Sequence, residues 1–248
     1  GSSRRLMSLI QLEGVSKNFG GLRALAEISM TVDEGKILGI MGANGAGKTT
    51  LFNVIAGYLP PTTGNVLLEG KSLLGLRPDQ VCRRGIARTF QIVKPFQNLT
   101  VMENLLTAAM FGSVLIRNRQ QAVAHCQTVL KDLGMSNLAD TPAHALTLSK
   151  QKKLELARAI STGCKVVMLD EVMAGLTPPE VSEMLGIIRE QHHSRKLTIL
   201  IIEHVMRALM QLSDRIVVLH HGERIAMGTP QEIADNPRVH EVYFGEQK

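Results

Sequence analysis

Between five consecutive apolar residues, Ile37-Leu38-Gly39-Ile40-Met41, and the helix-forming stretch Thr50-Leu51-Phe52-Asn53-Val54-Ile55-Ala56 stand eight residues that constrain the fold more than any others. They are Gly42-Ala43-Asn44-Gly45-Ala46-Gly47-Lys48-Thr49, and they fit the pattern G-x-x-x-x-G-K-[ST]. The flanks supply the strand, tight turn and helix that this pattern requires. Glycines let consecutive main-chain N–H groups curl around phosphate oxygens, and the helix N-terminus adds partial positive charge. A lysine at position 48 reaches β- and γ-phosphates, and the Thr49 hydroxyl, followed by Thr50, is placed to ligate Mg²⁺. A glycine-rich turn that binds nothing would not need every one of these positions. The chain is therefore expected to build an α/β nucleotide-binding core.

The rest of the composition narrows the classes. At 248 residues the chain can bury a substantial core. Its 44% hydrophobic and 20% charged residues are ordinary for a globular protein. The uncharged stretch from Asn104 to Ile116 is too short to cross a bilayer. No secretory signal precedes the first expected strand; Gly1–Ser3 reads as an appended tail and Met7 as a natural start. Three widely spaced cysteines, Cys82, Cys126 and Cys164, suit a reducing compartment without a disulfide framework. The formal charge of +6 is scattered or locally clustered, as at Lys150, Lys152 and Lys153. With two tyrosines, no tryptophan and no basic–aromatic interleaving, nucleic acid is not an expected partner.

Along the chain, strands are expected at residues 9–15, 28–32, 37–41 and 65–69, with a helix after the glycine-rich turn. From residue 79 to about 138 the pattern is mainly helical, clearest at 101–111 and 120–133. Beyond residue 165 strands (166–169, 198–202, 215–219) alternate with helices (179–191, 205–211). That alternation predicts a mostly parallel sheet covered on both faces. The expected organisation is a short tail (1–8) and one domain (9–248), with core segments at about 9–78 and 160–248 and a helical insertion at about 79–159.

A second motif, Val166-Val167-Met168-Leu169-Asp170-Glu171, ends a buried strand in two acids. Ligands of α/β sheets sit at such carboxyl ends, where Asp170 could join a Mg²⁺ shell and Glu171 could orient or polarise an attacking water. With Phe19-Gly20-Gly21 upstream, Arg88-Thr89-Phe90-Gln91 between and Ile202-Glu203-His204 downstream, the chain resembles the ATPase subunit of ABC transporters over residues 9–245. It is most similar to the branched-chain amino-acid importer ATPases of the LivG type, through Phe19-Gly-Gly-Leu-Arg-Ala-Leu, Gly85-Ile-Ala-Arg-Thr-Phe-Gln, Asp170-Glu-Val-Met-Ala-Gly-Leu and Asn236-Pro-Arg-Val-His-Glu-Val-Tyr-Phe-Gly. The resemblance implies a P-loop NTPase fold with an N-terminal antiparallel β region and an inserted helical subdomain. It implies ATP and Mg²⁺ as ligands and ATP hydrolysis that drives uptake of a small solute. It gives Phe19 adenine stacking, Gln91 sensing of Mg²⁺ and the γ-phosphate, and His204 a γ-phosphate contact. A urea or amide importer, a lipopolysaccharide-type exporter, or a regulatory switch with little turnover are the alternatives.

The chain departs from the family at two places. After Glu171 the loop runs Ala174-Gly175-Leu176-Thr177 where the family usually ends in Asp or Asn, and Pro178 and Pro179 then suit a first helical turn. The larger departure is Leu146-Thr147-Leu148-Ser149-Lys150, which stands where the family signature L-S-G-G-Q is expected. Both glycines are replaced by residues with a Cβ and the glutamine by a cation. In the resembled family two ATPases pack head to tail, each signature facing the other's phosphate loop. The altered signature implies a heterodimer with a second ATPase carrying an ordinary one. The other implied partners are transmembrane permease subunits, reached through the helical insertion and Val93-Lys94-Pro95-Phe96, and indirectly a solute-binding protein. The implied location is peripheral, on the cytoplasmic face of the inner membrane.

Overall fold

The computed structural model describes residues 8–90, 94–113, 116 and 118–244. In chain order the elements are β1 (Ser8–Phe19), β2 (Leu22–Asp33), β3 (Ile37–Met41), α1 (Lys48–Ile55), β4 (Thr63–Leu68) and β5 (Lys71–Ser72). There follow α2 (Pro78–Arg84), β6 (Ile86–Arg88), α3 (Lys94–Gln97), α4 (Val101–Met110), α5 (Arg119–Asp132), α6 (Leu148–Ser161), β7 (Val166–Asp170) and α7 (Pro178–Arg195). The chain ends with β8 (Thr198–Ile202), α8 (Met206–Leu212), β9 (Arg215–His220), β10 (Glu223–Gly228), α9 (Pro230–Ala234) and α10 (Pro237–Phe244). The chain divides into two compact units, one running up to Pro78 and resuming at Thr198, the other spanning Asp79–Leu197.

In the first unit, β3 lies between β8 and β9, parallel to both, and β10 closes on β9 antiparallel. All five residues of β3 and all five of β8 are buried, as strands covered on both faces must be. Gly39 in β3 gives α8 its seat: a Cβ there would come within 2.4 Å of Ser213 Oγ and 2.8 Å of Leu209 Cδ1. The start of β3 is pinned by Asp214, whose carboxylate accepts from Ile37 N–H at 2.8 Å while its own N–H donates to the Ile37 carbonyl at 2.9 Å. A separate antiparallel sheet runs in the order β2-β1-β4-β5. Its first two strands are longer than the apolar runs at 9–15 and 28–32 suggest. The hairpin ladder carries on through Lys17↔Leu25, Asn18↔Arg23 and Phe19↔Leu22, with bulges that absorb the polar residues.

In the second unit, β6 and β7 pair in parallel, and α4 packs on α5 and α6. The α4 start is fixed by a capping box: Thr100 Oγ1 accepts from Glu103 N–H at 3.1 Å, and Glu103 accepts from Thr100 N–H at 2.8 Å. Leu105, Leu130, Leu154 and Met168 are fully enclosed. No helix among the described residues is long and apolar enough to cross a membrane.

Candidate functional site

The glycine-rich turn folds as the strand–turn–helix pattern requires. Gly42 leaves β3, and a Cβ on it would meet Ala46 Cβ and the Leu219 carbonyl, each at 2.9 Å. Gly47 is the N-cap of α1 with φ 107°, and a Cβ there would stand 2.8 Å from the Ala24 carbonyl. Gly45 also has positive φ, at 79°. These are conformations and approaches that L side chains do not tolerate. The loop is braced by Ala46 N–H to the Ala43 carbonyl at 3.1 Å and by Gly222 N–H to the Ala46 carbonyl at 2.9 Å.

The cradle fits a triphosphate. Helix α1 has no side-chain cap and no acid in its first turn, so nothing of its own neutralises the positive N-terminus. Lys48 is buried and its amine donates back to the Gly42 carbonyl, folded over the loop. Ala43, Asn44, Gly45 and Thr49 are exposed, and Thr50 is half-buried. In the same unit Phe19 ends β1 with 45% of its surface exposed and Lys17 Nζ 5.3 Å from its ring centroid. A ring this open at a strand end is free to stack on a planar base. His204 is exposed in the turn between β8 and α8.

One residue near the loop stood out in the sequence only as part of the C-terminal family segment, with no role of its own. Tyr243 in α10 has its hydroxyl buried, which raises the phenol's pKa, and the adjacent Ala43 main chain offsets part of that rise. The C-terminal helix thus touches the phosphate loop.

In the second unit β7 delivers Asp170 and Glu171 at its carboxyl end. Glu171 stands at φ 53°, a left-handed conformation unusual for glutamate, and its carbonyl accepts from Ala174 N–H at 3.2 Å. Strain of this kind collects where a side chain must be aimed. Asp170 is engaged by Arg88, Nη2 to Oδ2 at 2.7 Å, and its N–H donates to Thr89 Oγ1 at 3.1 Å. Nothing in the sequence marked Arg88 as a partner of Asp170; the three-residue strand β6 that aligns them is too short to announce itself. Gln91 and Val93 lie outside the described residues. Phe96 has the Arg158 guanidinium carbon 5.0 Å from its ring centroid.

The altered signature opens α6. Thr147 is its N-cap without a side-chain cap bond, and no acid stands in the first turn. Leu146 is buried, Thr147, Leu148 and Lys150 are exposed, and Ser149 is half-buried. Leu148 Cδ2 lies 3.0 Å from where a Cβ on Gly175 would be, so leucine and glycine are fitted to each other. The Ser149 hydroxyl approaches Glu180 of α7, and Lys153 pairs with Glu183. Thr177 caps α7: its N–H donates to Glu180 Oε2 at 2.8 Å, and its main chain and hydroxyl hold the Glu180 carboxyl below its ordinary range. The two prolines occupy the first turn, as their fixed φ favours.

The profile of the family described as ABC transporter matches residues 25–174, and that of the branched-chain amino acid ATP-binding cassette transporter matches residues 223–248. The high-affinity branched-chain amino acid transport ATP-binding protein LivG of Salmonella typhimurium is 39% identical over 250 residues, covering 96% of this chain and 98% of its own. Its namesake in Escherichia coli is 38% identical with the same coverage. BraF of Pseudomonas aeruginosa, of the same description, is 35% identical with the same coverage. Among solved structures, a nucleotide-free ATP-binding cassette from an ABC transporter superposes with a TM-score of 0.89 at 31% identity, over 97% of this chain and 100% of its own. The ADP conformation of an ATP-binding cassette gives 0.88 at 31% identity, with the same coverage.

Proposed function

The chain belongs to the ABC transporter family as an ATP-binding subunit that hydrolyses ATP, and from that premise we propose that it powers the import of branched-chain amino acids. The observation that carries the solute class is the identity of 38–39% with two LivG proteins over nearly the whole of both chains. The C-terminal match at residues 223–248, to a family defined by that solute, points the same way.

In this reading the main-chain N–H groups of Gly42–Gly47 and the Lys48 amine hold the phosphates of ATP, and Phe19 stacks on its adenine. Thr49 and Asp170, with Gln91, would hold Mg²⁺, which would supply screening of the phosphate charge. Glu171 orients or polarises the water that attacks the γ-phosphorus, and His204 steadies the γ-phosphate. The family assembles as paired cassettes; the finer proposal is a heterodimer with a second ATPase bearing an ordinary signature, docked on permease subunits at the cytoplasmic face of the membrane. A groove of about 570 Å³ bordered by Leu99, Leu106, Met110 and Ile116 is the apolar surface that supports such docking on the helical unit.

The test uses the reconstituted transporter with this chain as one ATPase. Leucine uptake should require ATP, and Glu171→Gln should lower turnover by roughly 10²–10⁴-fold while ATP still binds. Uptake of urea or an aromatic acid in place of leucine would overturn the solute assignment, and undiminished hydrolysis in the variant would overturn the role of Glu171.

A further inference from the structure

Arg88 stands opposite Met168 in the parallel β6–β7 ladder. Paired residues share a face of the sheet, and so does the residue two positions on, which is Asp170. An arginine is long enough to span that step, and its Nη2 meets Asp170 Oδ2 at 2.7 Å. Thr89 prolongs the ladder beyond the end of β6. Its N–H donates to the Met168 carbonyl at 2.9 Å, and its hydroxyl stands in for a main-chain carbonyl by accepting from Asp170 N–H. The guanidinium carbon also lies 4.9 Å from the Phe90 ring centroid. The arginine side chain is 7% exposed and the aspartate 22%. The cation is thus enclosed, and the anion keeps one edge toward solvent. A cation taken out of water to that degree needs a counter-charge.

We propose that Arg88 is the counter-ion Asp170 keeps until a divalent metal arrives, so that arginine and metal compete for one carboxylate. This rests on the reading of Asp170 as a metal-holding residue. The ion pair holds the carboxylate in place when no metal is bound. It also weakens the pull of Asp170 on free metal, so the cation is taken up with the phosphates rather than ahead of them. When the metal claims the carboxylate, the face of Phe90 still receives the guanidinium, since an aromatic ring attracts such a cation.

The experiment is a titration of Mg²⁺, repeated with Mn²⁺, against ATP binding in a Glu171→Gln background. A fluorescent ATP analogue serves as the probe, and melting temperatures are read with metal in the absence of nucleotide. Arg88→Gln should reach half-saturation at metal lower by about tenfold or more, tenfold being roughly what removing one charge beside a divalent ion does even in water. Mn²⁺ by itself should raise its melting temperature more than that of the Arg88-containing protein. Should Arg88→Gln fail to fold, Arg88→Met carries the test, since it removes the same charge. An unchanged or higher metal requirement in either variant overturns the proposal, because it leaves Arg88 a purely orienting role. The two readings fail differently. If Asp170→Asn keeps the parental metal dependence, the assignment of Asp170 is wrong. If Asp170→Asn loses that dependence and the Arg88 variants keep it, only the competition is wrong.

Discussion

Helices α1 and α6 both begin without a side-chain cap and without an acid in the first turn, and so both present an uncompensated positive end. They differ in what occupies that end. The start of α1 admits no Cβ at Gly47, where the backbone is left-handed. The start of α6 carries three full side chains, Leu148, Ser149 and Lys150, on an N-cap of ordinary extended conformation. At α1 the missing side chains leave the main chain open to a ligand. At α6 the side chains have found partners inside their own unit, Leu148 over Gly175 and Ser149 toward Glu180. The same electrostatic device is thus left open in one place and built into packing in the other. The sharpest way to break this contrast is Gly47→Ala. Holding alanine at that φ costs ~1–3 kcal/mol before the 2.8 Å approach to the Ala24 carbonyl is counted. ATP affinity should fall by roughly a hundredfold or more in an equilibrium binding assay. Near-parental affinity would mean that the loop tolerates what α6 tolerates.

The contrast is sharpened from the other side by Ser149→Gly with Lys150→Gln, which brings the α6 start closer to the family signature. Glycine in a first turn costs at most ~1 kcal/mol of helix stability, so the fold should survive. In the paired assembly with the second ATPase, turnover should rise several-fold, because the composite site closed by this signature becomes competent. The unsubstituted chain by itself should show little turnover at any concentration. Strong hydrolysis by a self-dimer, or no gain in the double variant, would show that Ser149 and Lys150 do not hold the signature side back.

How much of this could be read in advance varied with the physical signal. The phosphate loop was legible because its chemistry and its sterics need the same residues: Gly42 and Gly47 are the positions a motif search expects and the positions where a Cβ would collide. The parallel strands β3, β7 and β8 announce themselves as short unbroken apolar runs. The α/β nucleotide-binding core follows from those alone, and the family needed the further segments at Phe19–Gly21, Arg88–Gln91, Asp170–Leu176 and Ile202–His204. The engagement of Asp170 by Arg88 was hidden, because it depends on a register between strands of three and five residues. Likewise, the fit of Leu148 over Gly175 joins residues with 26 positions between them, and the closeness of Tyr243 to Ala43 joins opposite ends of the chain. Sequence spacing carries no record of such contacts. The lengths of β1 and β2 were understated for a related reason: bulged antiparallel pairing accepts polar residues that an apolar pattern leaves out.

Alkaline pH gives the mildest separation of the two units, since all three cysteines fall within Asp79–Leu197. Burial pushes the Cys164 thiol up to about 12 and Cys126 up to about 11, and raises Cys82 as well, each from 9.0. The folded state therefore resists losing these protons more than the unfolded chain does. Their contribution is complete below pH 9, where the unfolded thiols are still protonated, and is lost as pH rises through 9 toward 12. At pH 10 Cys164 alone should cost about 1 kcal/mol of stability. The second unit should then melt earlier at pH 10 than at pH 8, with hydrogen exchange telling which segments open first. Replacing Cys164 with alanine removes the titrating group, so the variant's pH 8 to pH 10 loss should be smaller than the parent's by that amount. An equal loss in the variant would place the alkaline sensitivity elsewhere and leave the two units alike in this respect.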